Sequence, residues 1–253
     1  MTVKRAHMVS KGYLRAWADS EDHVDVLDLQ SGRGDRIKID DATVVNHAYR
    51  TKLLQRDLER EYWGVENAGI PALVRLRGND GSLTEADRDA VIAFLDMHLD
   101  RGRYADQARR NVPAVILKAD GLSENVKFSS EDATLSVADR LLLSESFTEV
   151  LRLRSLGVEQ WPWRVLGARH LATGDGAVLL WEQTPGAGVS AVTFPLSPSQ
   201  LLLIGDHLPD RAPLNTLLAQ NCRRWIVGEP GTLNLAQASM IAAKRRDTTQ
   251  PNP

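Results

Sequence analysis

Three observations predict an α+β fold for this chain. A hairpin pattern lies near the N-terminus, segments with helical spacing follow it, and the last third breaks into short apolar runs divided by Gly, Pro and polar turns. The order of hairpin, helices, strands, helices does not alternate as a βαβ fold would. The expected architecture is an N-terminal hairpin and helical bundle packed with a small antiparallel or mixed C-terminal sheet and terminal helices. No linker-like stretch divides it, so residues 1–245 are expected to form one integrated domain, with 246–253 a disordered polar tail.

Taken in order, "KGYLRAWA" reads as a short helix with Tyr13 and Trp17 on one face as core anchors and His7 just ahead of it. Val24, Val26 and Leu27 precede a Ser-Gly-Arg-Gly-Asp turn, and Ile37 and Ile39 alternate after it, which predicts the hairpin. Leu54, Leu58, Tyr62, Val65, Ala72, Leu73 and Leu76 share one helical face. Pro71 lies inside that run and predicts a kink or break near Gly69 and Ile70. Thr84 and Asp87 form a capping-box-like pair for the next helix, whose inner side carries Val91, Phe94, Leu95, His98 and Leu99. Pro113 marks a boundary, "AVILKAD" a short helix, 122–136 a polar loop, and 137–156 a further helix. Strands are expected in "WRVLGARH", "GAVLLWE", "SAVTFPLSP" and "QLLLIGD". Helices are expected over 214–225 and 233–244.

The chain has 253 residues, enough to bury a core without disulfides or metal. A formal net charge of -2 removes any general pull towards nucleic acid or anionic lipid. Cys222 is the lone cysteine, which rules out an internal disulfide and fits a reducing, cytoplasmic compartment; its helical setting suggests packing. No signal peptide is expected, and no stretch approaches the roughly 18 apolar residues of a membrane span.

Several residues have the chemistry of a site. Glu59 and Glu66 lie two helical turns apart on one face, at the border of the apolar stripe, where carboxylates bind a divalent cation, serve as acid and base, or stay solvated. His98 falls at the centre of its helix's apolar face with Arg101 at the edge. Such a pair orients a phosphate or carboxylate, or the histidine is a core residue bonded to backbone. His7 and Arg15 pose the same alternatives. Asp175 sits between two glycines, which allow close approach of a ligand or build an ordinary turn. Asp175 and Glu182 loosely resemble a restriction-type acidic pair, but Thr184 stands where that motif wants lysine. There is no P-loop, no Gly-x-Ser-x-Gly elbow and no His-Glu-x-x-His.

These pieces together resemble the family named domain of unknown function 4238. Its members begin with His-Tyr-Val-Pro and then Tyr-Leu-Arg-x-Phe, similar to His7-Met8-Val9-Ser10 and Tyr13-Leu14-Arg15-Ala16-Trp17. A Leu-Glu and a later Glu resemble Leu58-Glu59 and Glu66, and Gln-x-x-Arg-Thr-Pro resembles the stretch from His98 through Arg101 to Arg103. Thr-Ser-Asp-Asn-Pro is similar to Thr173-Gly174-Asp175-Gly176-Ala177, and Pro-Leu-Ser-Pro is matched in full at Pro195-Leu196-Ser197-Pro198. The pattern runs in order over residues 5–228. Ser10, His98 and Gly176-Ala177 depart from it, so the chain reads as a divergent member.

The resemblance implies no established activity, but it puts His7, Arg15, Glu59, Glu66, Arg101 and Asp175 on one list. Two functions are expected from that list. The first is a hydrolase of a phosphate-containing substrate. There Glu59, Glu66 and Asp175 would hold a divalent metal such as Mg or Mn, His7 or His98 would be a ligand or base, and Arg15 and Arg101 would hold phosphate. The alternative is a non-catalytic binding or interaction module in which the same residues form a buried structural network. Mutually paired, buried Arg and Glu would favour the module; an open cleft of unpaired carboxylates would favour the enzyme.

Overall fold

The computed structural model describes residues 5–46, 58–78, 83–107, 152–184, 186–206, 208–209, 212–237 and 240–241. Within residues 58–59 and 102–107 only the backbone is described. The fold is α+β, with N-terminal strands, two packed helices and antiparallel C-terminal sheets.

The chain opens on β1 (Arg5–His7), so His7 lies on a strand, paired with Val44 of β4 (Val44–Asn46). The helix that follows is a single turn, α1 (Lys11–Leu14). The hairpin forms as expected: β2 (His23–Asp28) pairs antiparallel with β3 (Arg33–Lys38). Asp25, buried on β2, accepts from Arg36 Nε at 3.0 Å and from the Gly231 amide at 2.6 Å, tying the hairpin to the C-terminal part.

Helix α2 (Leu58–Arg77) runs through Pro71, so of the expected kink or break the break does not occur. Pro71 and Asn67, whose carbonyl loses its helical donor to the proline, are both exposed residues, which lowers the cost of the lost bond. Helix α3 (Glu85–Gln107) starts on the expected capping box. Thr84 Oγ1 accepts the Asp87 amide at 3.1 Å, and Asp87 returns a carboxylate oxygen to the Thr84 amide at 3.2 Å. Residues 108–151 lie outside the described residues, and with them Pro113, the "AVILKAD" segment, the loop and most of the helix expected over 137–156. Its last residues, Leu153–Leu156, form a 3-10 turn closed by Gly157 at φ +70°.

The C-terminal sheet is wholly antiparallel, in the order β5 (Trp163–Gly167), β9 (Gln200–Gly205), β8 (Val189–Ser197), β7 (Leu179–Glu182). A second sheet has the order β3, β2, β10 (Trp225–Gly228), β6 (Thr173–Gly174). Strand β10 corrects the helix expected to reach Trp225. Helix α4 stops after Leu214–Asn221, Cys222 turns to extended backbone, and Trp-Ile-Val-Gly fills the gap between β2 and β6. The helix expected over 233–244 is described only in part, with a 3-10 turn at Leu235–Gln237. Among the described residues no helix is long and apolar enough to cross a membrane.

The core joins both ends of the sequence. Met8, Tyr13, Leu14 and Trp17 pack with Leu73 of α2, Phe94 and Leu95 of α3, and Phe194, Leu196 and Leu202 of the C-terminal sheet. Tyr13 stacks on Phe194, with ring centres 4.8 Å apart, and tilts against Trp17 at 4.9 Å. Burying such side chains supplies the main stabilisation, about 1.5–3 kcal/mol for each large one.

Candidate functional site

His7 is half-buried at the end of β1, and its Nδ1 lies 3.0 Å from the Ala42 carbonyl oxygen. A carbonyl only accepts, so in the neutral ring Nδ1 carries the proton and Nε2 keeps the lone pair. Burial pulls the His7 pKa below its usual value, and the Arg101 charge adds to that; the Ala42 bond and Glu66 act the other way. Glu66 of α2 forms an ion pair with Arg101 of α3. The Arg101 guanidinium is buried and also lies over the Tyr62 ring, 4.8 Å from its centre. His7, Glu66 and Arg101, from three elements, therefore come close enough to bias each other's charge.

His98 sits one helical turn before Arg101 on α3 and is fully buried. Its Nε2 is 2.8 Å from the Gly174 carbonyl oxygen, so Nε2 carries the proton. The Tyr13 and Phe194 rings stand steeply inclined to it, with centres 5.9 and 5.3 Å away. Burial pushes the His98 pKa down to about 4, with Arg101 adding to the effect, so the ring is neutral at pH 7. Tyr13 completes the node. Its hydroxyl gives its one proton to the Pro195 carbonyl at 2.7 Å, so Thr173 Oγ1, also at 2.7 Å, must donate to it.

Asp175 lies directly after the glycine that His98 holds, and it too is buried. Its carboxylate accepts the backbone amides of Arg223 (3.2 Å), Arg224 (3.0 Å) and Trp225 (2.9 Å). Burial raises its pKa to about 6, against the pull of those amides. The neighbouring glycines do allow a close approach, and what approaches is the protein's own backbone. A Cβ on Gly174 would fall 2.1 Å from the Trp225 carbonyl oxygen, and one on Gly176 would fall 2.4 Å from the Asn221 carbonyl. Asp175 thus pins the turn from α4 into β10.

The other residues on the expected list stand apart. Arg15 caps the end of α1 through its backbone amide, and its exposed guanidinium has no hydrogen bond or ion pair to another described residue. Arg77, which sequence reasoning passed over, takes the place beside Tyr13. Its guanidinium lies 5.9 Å from the Tyr13 ring centre and donates to the Leu196 carbonyl at 2.6 Å. The signal available was an arginine in the last turn of α2. Asp100 with Arg152, at 2.6 Å, is a second pair that went unread, because Arg152 lies far along the chain. Glu59 is on α2, but its side chain lies outside the described residues.

These donor sets leave little for a cation. Both oxygens of Asp175 are filled by amides, and Glu66 is engaged by Arg101. Among the described residues no three His, Cys, Asp or Glu side chains form a metal-holding group. Cys222 is buried in a small second core with Leu27, Leu29, Ala172 and Ile226, as packing predicts.

Residues 5–150 match the family described as protein of unknown function, DUF4238. The chain belongs to the DUF4238 family. No solved structure matches it. The DUF4238 match takes in His7, Arg15, Glu59, Glu66, His98 and Arg101, whereas Asp175 and the Pro195–Pro198 element lie beyond it. Tyr13 and His98, within the DUF4238 match, take their hydrogen-bond partners from residues 173, 174 and 195, outside it.

Proposed function

We propose that this DUF4238 protein is a non-catalytic binding module, in which the polar core residues fix the fold. One observation carries the reading: each buried polar group on the candidate list already has a protein partner. Asp175 holds three amides, His98 holds the Gly174 carbonyl and Arg101 pairs with Glu66. A catalytic group must also reach the substrate, and these three are buried.

His7 supports a second reading, a hydrolase of a phosphate-containing substrate. Its Nε2 lone pair is free at a half-buried position near a guanidinium, the arrangement of a general base beside an anion holder. One experiment separates the two. The full chain is incubated with bis(p-nitrophenyl) phosphate, with and without Mn²⁺, beside His7→Gln, Glu66→Gln and His98→Gln. The binding-module reading expects no turnover in any sample, and lower melting temperatures for Glu66→Gln and His98→Gln. Turnover that disappears in His7→Gln at an unchanged melting temperature would overturn it.

A further inference from the structure

Away from the polar core, an open groove of about 420 Å³ runs between residues 168–170 and 197–199. Its size falls within the range of small-molecule sites. The walls are held before any ligand arrives. The Ala168 amide donates to the Ser199 carbonyl at 2.8 Å and the Leu171 amide to the Pro198 carbonyl at 2.9 Å. Asn215 donates to the His170 carbonyl at 2.8 Å, and the Trp17 indole donates to the Leu171 carbonyl at 2.7 Å. Between the two backbone ties Arg169 and His170 are exposed, and His170 takes a left-handed φ of 48°. A histidine held in that region is a small store of strain, of the kind that collects at ligand sites.

The polar groups facing the groove are underused. The Arg169 guanidinium is exposed and has no hydrogen bond or ion pair to another described residue. The Ser197 hydroxyl reaches Ser199 Oγ and Gln200 Oε1 and accepts the Ser199 amide, each at 3.3 Å, long contacts that are easily exchanged. Glu229 contributes an exposed carboxylate, 4.0 Å from the His170 ring nitrogen. The lining thus includes a guanidinium and two hydroxyls, groups that suit a tetrahedral anion. It also includes the Glu229 carboxylate, an acceptor, which suits hydroxyl groups and repels a second anion.

We propose that this groove binds a small phosphate monoester carrying hydroxyl groups, with Arg169, Ser197 and Ser199 on the phosphate and Glu229 on the hydroxyls. The site goes beyond the binding-module reading and shares no residue with the polar core, so the two fail separately.

Calorimetric titration of the full chain with ribose 5-phosphate, inorganic phosphate and ribose tests it. Saturable binding of ribose 5-phosphate is expected, about tenfold or more tighter than either fragment. Arg169→Ala is expected to weaken it at least tenfold. Glu229→Gln is expected to weaken ribose 5-phosphate about threefold or more and leave inorganic phosphate unchanged. Both side chains are exposed, so the melting temperature should hold in each variant. No saturable heat, equal affinity for inorganic phosphate, or undiminished binding by Arg169→Ala would each overturn the proposal.

Discussion

His98 and Asp175 are buried within one residue of each other's contacts, yet burial acts on them with opposite sign. The His98 pKa falls to about 4, so between about pH 4 and 6.5 the unfolded chain binds the extra proton and stability rises with pH. The Asp175 pKa rises to about 6, so between about pH 4 and 6 the folded chain binds the extra proton and stability falls with pH. Each slope is at most about 1.4 kcal/mol per pH unit, so across the shared window they nearly cancel. In His98→Gln the side-chain amide can still donate to Gly174, while the titration is gone. Urea unfolding from pH 4 to 6.5 should show the wild type gaining about 3 kcal/mol over His98→Gln. Parallel curves would mean that His98 is not buried neutral.

Two glycines of α2 have opposite roles, one on the solvent face and one against α3. Gly64 is exposed, and a Cβ there would meet nothing within 4 Å. Gly69 is buried, and a Cβ there would come within 2.8 Å of Phe94 Cβ. Gly64→Ala is therefore expected to stabilise the protein by about 0.5–1 kcal/mol through helix propensity. Gly69→Ala should destabilise it by about 1–3 kcal/mol by forcing the helices apart. Thermal melts of the two variants should shift in opposite directions. The contrast is not legible in sequence, because spacing gives the face of a residue and not the closeness of its neighbour. What was legible were elements with local causes: the β2–β3 hairpin with its glycine turn, the Thr84–Asp87 cap and the apolar face of α3. What escaped were elements decided at a distance. His7 is on a strand because β4 pairs with it. Residues 225–228 are a strand because β2 and β6 flank them and Asp175 holds the amides that lead in. The candidate site followed the same rule: His98 and Asp175 could be read as polar residues in apolar or glycine settings, but their partners lie 48 to 76 residues away.

Across the whole molecule, the first turn of helix is the tie between the two ends of the chain. Tyr13 donates to Pro195 and accepts from Thr173, and the Trp17 indole donates to Leu171. Both side chains are fully buried against α3 and the C-terminal sheet together. A core shared in this way leaves neither half a complete apolar interior of its own, since removing residues 5–17 would expose Phe94 and Phe194 at once. The described residues are accordingly expected to unfold as one cooperative unit. Far-UV circular dichroism and tryptophan fluorescence should trace a single urea transition with a common midpoint. Tyr13→Phe keeps the ring and strands the Pro195 carbonyl and the Thr173 hydroxyl, so it should lower stability by about 1–3 kcal/mol. The deciding feature is that both probes should shift by the same amount. If the C-terminal sheets folded independently of α2 and α3, the variant would split the transition or move one probe alone, because the lost bonds would then belong to only one of two units.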